Sequence, residues 1–236
     1  VQMGSMVEQS IEMAASALVK QDTEKAEQVI EYATDVSNQE RQIESACMKL
    51  LLCQQPVAKD LRTVSSALKM ITDMERIAVQ SAEISELTIR MADTPYIKKL
   101  EHIQDMAKET ILMVVKSIEA FVNRDLEQAQ EVISMDDRVD DLFIAIKNEL
   151  IQLINEDTSN GEQATDLLMI GKYFERIGDH AVNIAEAAYE LSDKKIEFSE
   201  EAGYEMNVLE DATREVVDLA VNAFWEDDLE VAAKVE

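Results

Sequence analysis

The chain has 236 residues, with 49 Asp and Glu against 22 Lys and Arg, so its formal net charge is −27. Only 5 Gly and 2 Pro are present, too few for the many tight turns of an all-β sandwich or a doubly wound α/β fold of this length. The acidic excess argues against nucleic acid and anionic membrane surfaces as partners, because both are bound through clustered Lys and Arg. With 47% hydrophobic residues, the composition predicts an all-α protein with a sizeable core.

An internal repeat runs along the chain. The segment 17–22 matches 120–125, and a shorter match starts again at Ala223. Further along each repeat, 73–77 matches 173–177. The two copies are separated by slightly fewer residues in the second match than in the first. We therefore expect the second repeat to have a shorter loop.

Each repeat is predicted to contain three helices. In the second repeat, apolar periodicity predicts helices over about 95–123 and 125–156, and a third helix after a loop at 157–161 that ends near Leu191. Asp125 is a plausible N-cap. Short connections make neighbouring helices antiparallel, so the prediction is two tandem three-helix bundles, 1–94 and 95–192.

The remaining residues do not fit into these two repeats. In the first repeat, the break between the second and third helices is expected at Gln55-Pro56, and the repeat is expected to end at Thr94-Pro95. The segment 193–236 has an apolar stripe at helical spacing. It predicts an extra helix that resembles the start of a third repeat and needs a surface to cover.

The cysteines and the lengths of the apolar runs indicate the cellular compartment of the protein. Cys47 and Cys53 lie six residues apart on a predicted helix, so they cannot pair with each other there. We expect two unpaired, buried thiols, which suit a reducing cytoplasm. No run approaches the length of a membrane span, and no basic segment followed by an apolar one opens the sequence. These patterns predict a cytoplasmic protein without membrane insertion.

Motifs for catalysis are missing from the sequence. It has no Gly-rich phosphate loop, nucleophile elbow or HExxH helix. His102 and His180 each lack a second histidine at metal-ligand spacing, so both are expected to be solvated. We therefore predict that the protein is not an enzyme and has no organic cofactor.

Carboxylate pairs are the remaining chemical feature. Asp136 with Asp140, and Glu175 with Asp179, are spaced four residues apart, so each pair lies on one side of a helix. If the two helices are neighbours, four carboxylates crowd together and need cations, raised pKa values or a splayed, hydrated geometry. Oxygen-rich clusters suit hard or borderline cations, including iron. The competing interpretation is a solvated acidic face, because acidic pairs arise often by chance in so acidic a chain.

The first repeat provides a comparison for these acids. Its corresponding residues are Ala33, Ser37, Glu75 and Val79. Only the glutamate is kept, so the two repeats are not expected to bind a metal equally.

Three segments carry a resemblance to a known family. The segment 173–186 reads YFERIGDHAVNIAE, 73–77 is a weaker copy of its start, and 54–62 reads QQPVAKDLR. Together they resemble the PhoU family of phosphate-uptake regulators over about 1–192. The resemblance implies two three-helix bundles, a cytoplasmic homodimer and no enzymatic activity. It also implies negative regulation of the phosphate regulon, by linking a phosphate ABC transporter ATPase to a phosphate sensor histidine kinase.

The resemblance also implies a metal motif. Members of the family can bind iron or other metals through acidic E(D)xxxD motifs, which here are intact at Asp136/Asp140 and Glu175/Asp179. In the first repeat the motif is broken, which leaves Glu75 and Asp73 as weaker candidates. The C-terminal continuation resembles the PhoU-like regions of sodium/phosphate cotransporters. A soluble region of a cotransporter and a metal-binding scaffold are therefore the alternative functions.

Overall fold

Helices make up nearly all of the described chain. The computed structural model describes residues 2–54 and 58–191. Over these ranges there is no β-strand, and the elements are α1 (Gln2–Lys20), α2 (Thr23–Gln54), α3 (Ala58–Arg90), α4 (Glu101–Asn123), α5 (Leu126–Glu156), a short 3-10 helix (Thr158–Asn160) and α6 (Gly161–Leu191). The predicted all-α fold with two sets of three helices is confirmed. The predicted break at Gln55-Pro56 and the helix predicted at 193–236 lie outside the described residues.

The turn between the first two helices is the same in both repeats. Gln21 and Arg124 both adopt the left-handed conformation, with φ of 52° and 55°. The aspartate that follows each of them caps the next helix: the Asp22 carboxylate accepts from the Lys25 backbone N–H, and Asp125 accepts from the backbone N–H groups of residues 127 and 128. These bonds satisfy donors that the helix itself leaves free. The predicted cap at Asp125 is confirmed.

The core lies along the apolar stripes that helical periodicity predicts. On α6 the whole predicted stripe is buried: Leu167, Ile170, Phe174, Ile177, Ala181, Ile184 and Ala188. On α5 the stripe is buried at Val132, Val139, Ile146 and Leu150 and partly buried at Phe143 and Leu153. Burial of this apolar area is the main stabilising contribution to the fold.

The two repeats pack on each other through equivalent helices. Residues Val1–Asp193 form one compact unit, in which α3 packs on α6 and α1 packs on α4. The guanidinium of Arg90 donates to both carboxylate oxygens of Asp166, at 3.0 and 2.5 Å. At the other end of α3 and α6, the Glu190 carboxylate accepts from Ser66 and Lys69. The two ends are related by the sequence repeat, because Asp166 corresponds to Ser66 and Arg90 to Glu190.

The segment between the repeats is held by side chains from both. Gln21 donates to the backbone oxygens of Met91 and Thr94, at 3.0 and 2.8 Å. Gln163 accepts from the Ile97 backbone N–H at 2.6 Å and donates to the Pro95 oxygen at 3.1 Å.

The first helix of the second repeat starts later than predicted. We expected it at about 95, but α4 begins at Glu101. The Tyr96 hydroxyl donates to the Leu18 backbone oxygen at 2.5 Å, and burial raises the pKa of Tyr96 to about 12. These bonds, with those of Gln163, keep 96–100 out of the helix.

The end of α2 differs from the prediction. Cys47 and Cys53 are unpaired, as predicted, but they are not buried: Cys47 is half-buried and Cys53 is exposed. Among the described residues, this end of α2 contributes none to the buried core, and its apolar side chains also face solvent, with Leu52 79% exposed. None of the described helices is apolar over a stretch long enough to cross a bilayer.

Candidate functional site

Helices α5 and α6 bring the four predicted acids together. Asp136 and Glu175 are half-buried, whereas Asp140 and Asp179 are exposed at the edge of the same surface. The name "acidic cluster" is used below for these four residues. The i, i+4 spacing and the packing of the two helices thus place all four carboxylates on one side of the second repeat.

The electrostatics of the acidic cluster act most strongly on Asp136. Burial, followed by the charges of Asp140, Asp179 and Glu175, raises the pKa of Asp136 from its usual 3.8 to about 6. Burial and like charges both disfavour the ionised form of a carboxyl group. The cluster therefore carries charge that the surrounding protein does not fully compensate.

A glycine lets the two helices come close at this point. A Cβ atom added to Gly178 would meet Asp136 Oδ1 and a Val139 methyl group, each at 3.5 Å. The absent side chain leaves room for Asp136 to lie against α6. Gly178 is part of the FERIGDH motif, and a close approach of two helices is a physical reason for glycine there.

Asp136 Oδ1 is buried without a hydrogen-bond partner, whereas Glu175 Oε2 forms an ion pair with the ammonium of Lys172. The same ammonium lies 5.6 Å from the centre of the Phe143 ring, within range of a cation–π interaction. Buried polar atoms normally have partners, so Asp136 Oδ1 has unused capacity to accept a donor or a cation.

A metal ion fits the chemistry of the acidic cluster. Its donors are carboxylate oxygens, and one of them, Asp136 Oδ1, is buried and unpartnered. Among residues 2–54 and 58–191, however, no three Asp, Glu, His or Cys side chains are already arranged to hold an ion. Binding would require rotation of the exposed Asp140 and Asp179 side chains and competition with Lys172 for Glu175.

The first repeat has fewer acids at the positions equivalent to the acidic cluster. The Ser37 hydroxyl donates to Glu75 Oε1 at 2.9 Å, in the position where the second repeat has Asp140 opposite Glu175. Asp136 is replaced by the buried Ala33, and Gly178 by the buried Ala78. The first repeat also has an acid with unfavourable electrostatics, Glu40, which is not one of the predicted ligands. Burial and the neighbouring glutamates raise the pKa of Glu40.

Asp73, one of the two weaker ligand candidates, faces away from Glu75. Its Oδ1 accepts from Asn183 at 3.0 Å and lies 2.8 Å from His180 Nδ1, so Asp73 connects α3 to α6. The equivalent contact at the other end of the interface is a hydrogen bond from Tyr173 to Glu83, at 3.2 Å. Asp73 thus takes part in packing between the repeats.

Both histidines have carboxylate partners. His180 lies beside Asp73, and His102 Nδ1 lies 2.8 Å from Glu149 Oε1. Their side chains are only partly exposed. Both histidines keep some exposure to solvent, but their carboxylate partners were not predicted, because spacing along one helix does not show which acids lie across an interface.

Sequence reasoning missed two residues of the site. Lys172 precedes Glu175 by three residues, which places it on the same side of α6. Gly178 lies within the motif that carried the family resemblance. The i, i+3 spacing could have indicated the lysine, whereas the packing role of the glycine depends on where α5 lies.

Comparison with known proteins places this geometry in a family. The model of the PhoU domain family matches residues 1–88 and 103–188. The chain belongs to the PhoU family. The two matched ranges correspond to the two repeats, so each three-helix repeat is one PhoU domain.

Individual relatives agree with this assignment. The chain is 34% identical to the phosphate-specific transport system accessory protein PhoU homolog of Clostridium acetobutylicum over 202 residues, which cover 85% of this chain and 92% of the relative. It is 30% identical to the accessory protein PhoU of Escherichia coli K12, over 78% of this chain and 76% of that protein. The crystal structure of PhoU from Pseudomonas aeruginosa superposes with a TM-score of 0.78 at 29% identity, covering 80% of this chain and 91% of that one.

Proposed function

We propose that this protein is a non-enzymatic accessory protein of phosphate transport. It acts in the cytoplasm and represses phosphate-starvation signalling when phosphate is abundant. In this role it links the ATPase of a phosphate ABC transporter to a phosphate sensor histidine kinase.

One observation carries the proposal, the match of both repeats to PhoU domains on a fold shared with PhoU structures. The relatives that match over most of their length are named phosphate-specific transport system accessory proteins. This favours an accessory protein over a region of a sodium/phosphate cotransporter. The strong net negative charge favours basic surfaces on the partners.

Deletion of the gene tests the regulatory role. Phosphate-starvation genes should then be expressed in phosphate-rich medium, and a chromosomal copy of the gene should restore repression. Affinity purification of the full chain should recover the transporter ATPase or the sensor kinase. Unchanged expression after deletion would exclude the proposed role.

The second candidate function is metal binding by the acidic cluster. The observation that favours it is the buried, unpartnered oxygen of Asp136, which lies near the charges of three further carboxylates. With Asp140 and Asp179, these residues would hold iron or another divalent transition metal through carboxylate oxygens. The bound charge would offset the repulsion that raises the pKa of Asp136.

Elemental analysis tests this second candidate. Protein purified without chelators or a metal-affinity tag should contain metal, and Asp136→Ala with Asp179→Ala should remove it. Glu75→Gln is the matched control in the first repeat, because Glu75 already accepts a hydrogen bond from Ser37. Metal that stays in the double variant, or that is lost equally in the control, would refute binding at the acidic cluster.

A further inference from the structure

An apolar groove lies between the end of α1 and the start of α4. It has a volume of about 260 Å³, and its charged lining residues are Lys20 and Lys108, so we call it the lysine groove. Most of its other lining residues are apolar and include Leu18, Val19, Ile103, Ala107 and Ile111. The lysine groove is thus an apolar cleft with two positive charges.

The lysine groove extends from the surface to the core. Val19, at its rim, is 44% exposed, whereas Leu18 is 1% exposed. Phe174 of α6, which is fully buried, also lines the groove, so a third helix lies beneath the two that form its walls. A concave and mostly apolar site with a few polar groups is the usual form of a small-molecule site, and such sites have volumes of about 300–1,000 Å³. The lysine groove is slightly smaller, so it suits a small ligand.

The sequence repeat gives the lysine groove a counterpart, the "glutamate groove", whose charged residues are Glu8 and Glu119. Among the described residues, only those of α1 and α4 line it. Ala15 of the lysine groove corresponds to Ile118 of the glutamate groove, so a larger side chain takes the equivalent space. Lys108 corresponds to Ser5, and Lys20 likewise has an uncharged counterpart. The fold therefore does not require a basic groove.

The lysines of the groove are available to an anion. Lys108 pairs with Asp105 at 2.9 Å, but both side chains are well exposed, and such pairs are weak. Lys20 forms no ion pair within the part of the chain that the structure describes. Lys25 adds a third positive charge, since its ammonium donates to the lining residue Ser16 at 3.0 Å. In a chain with a net charge of −27, this apolar cleft is a local basic site.

We propose that the lysine groove binds a free medium-chain fatty acid, with the acyl chain between α1 and α4 and the carboxylate beside the lysines. The groove follows α4 from Ile103 to Ile111, a distance of about 12 Å. An extended chain advances about 1.2 Å per single bond, because the three backbone bonds of one residue span about 3.6 Å. Ten carbons therefore reach about 11 Å. Apolar burial holds the chain, and charge complementarity selects an anion.

Three ten-carbon ligands with different head groups test the proposal on the full chain. Shifts of the Ile103 and Ile111 methyl signals in NMR titrations report affinity within the groove. Decanoate should bind more tightly than decanol, which lacks the charge, and decyltrimethylammonium should bind the most weakly. The net charge of the protein alone favours the opposite order. A cation that binds in the groove as tightly as decanoate would overturn the proposal.

Removal of the two lysines tests the role of charge. Lys20→Met with Lys108→Met should weaken decanoate binding at least tenfold and change decanol binding by less than about twofold, because methionine keeps an apolar side chain of similar length. Lys49→Met with Lys147→Met is the matched control, since it removes two charges from exposed positions on α2 and α5. Decanoate binding that stays unchanged in the first variant, or weakens equally in the control, would overturn the proposal.

Two further variants fill or reverse the groove with residues of the kind that the glutamate groove already has. Ala15→Leu should prevent the binding of both decanoate and decanol, and the counterpart Ile118 shows that the fold accepts a large side chain there. Ile111→Glu introduces the residue type of its counterpart Glu8 and should prevent decanoate binding by repulsion. Circular dichroism checks that each variant is folded. Decanoate binding retained in a folded variant of either kind would overturn the proposal.

Vesicles distinguish a free fatty acid from a membrane lipid, which offers the same acyl chain and a negative head group. An anionic bilayer has a negative surface potential, which repels a chain with a net charge of −27. The protein should therefore stay in the supernatant when vesicles of phosphatidylglycerol are sedimented. Co-sedimentation that Lys20→Met with Lys108→Met abolishes would overturn the assignment to a free fatty acid.

Discussion

The two repeats share a fold but differ in how they treat the same acidic surface. In the second repeat, Asp136 lies against Gly178 and has a raised pKa, with an unpartnered oxygen. In the first repeat, alanines replace both residues, and Ser37 donates to the one glutamate that is kept. At these positions the first repeat has one acid, which accepts a hydrogen bond, whereas the second repeat has four acids whose charges repel one another.

The difference indicates which repeat is under a constraint beyond stability. A buried carboxylate that repels its neighbours lowers stability, and the first repeat shows that the fold does not require it. The acidic cluster is therefore a feature that the second repeat retains at a cost in free energy of unfolding.

The largest effect is expected when the first repeat receives the acid of the second. Ala33 is 7% exposed and has Ala78 in the place of Gly178, so Ala33→Asp buries a charge with less room and no cation. We expect a loss of about 2–4 kcal/mol in the free energy of unfolding at pH 7, measured by urea denaturation. Ala33→Asn is the control for size and should cost less. Equal losses in both variants would show that volume, and not charge, distinguishes the repeats.

The interface between the repeats offers a second contrast. Asp166 is buried and bound by Arg90, so Arg90→Met should cost about 2 kcal/mol by leaving a buried carboxylate unpaired. At the other end, Lys69→Met removes an exposed pair with Glu190 and should change stability by less than about 0.5 kcal/mol. Thermal and urea unfolding check both values. Similar losses at the two ends would contradict the difference in burial.

Removal of the repelled charge should stabilise the second repeat. The pKa of Asp136 is raised in the folded state, so the folded state binds the proton more tightly. The stability that this group contributes is present at low pH and is lost as the pH rises from about 4 to about 6. Asp136→Asn should therefore add about 1–2 kcal/mol at pH 7 in metal-free protein, reduced from the full shift by solvent screening.

The pH profile provides the check on this variant. Between pH 4 and 6 the wild type should lose stability relative to Asp136→Asn, because only the wild type loses the contribution of this carboxyl group. If Asp136→Asn is less stable than the wild type at pH 7 in the presence of a chelator, then favourable interactions outweigh the repulsion on the Asp136 carboxylate.

The smallest expected effect concerns the cation beside the acidic cluster. Lys172→Met removes the positive charge next to Glu175 and should cost about 0.5–1 kcal/mol at pH 7, because the pair is partly exposed. The pKa of Asp136 should rise further, which NMR titration of its carboxyl group can follow. In the Asp136→Asn background, Lys172→Met should reduce the free energy of unfolding by less. An equal reduction in both backgrounds would mean that Lys172 does not interact energetically with Asp136.

Much of the fold could be predicted from the sequence because the signals are local. The stripe from Leu167 to Ala188 specifies the buried face of α6, and Asp125 specifies where α5 begins. The start of α4 was predicted too early because Tyr96 and Gln163 hold the preceding segment through contacts distant in sequence.

The site was predictable only in part, for the same reason. The i, i+4 spacing predicted that each acid pair lies on one face of a helix. The hypothesis that α5 and α6 are neighbours then predicted that the two pairs lie close together. The direction of Asp73 towards His180, and the hydrogen bond from Ser37 to Glu75, depend on packing between helices that no local pattern records.

The connection between the repeats limits how the two repeats can move relative to each other. Gln21 of one repeat and Gln163 of the other bind the same short stretch of backbone. Neither half can swing about that stretch without losing hydrogen bonds at both of its ends. A hinge motion of one repeat against the other would therefore break side-chain hydrogen bonds from both repeats, in addition to the packing of α3 on α6.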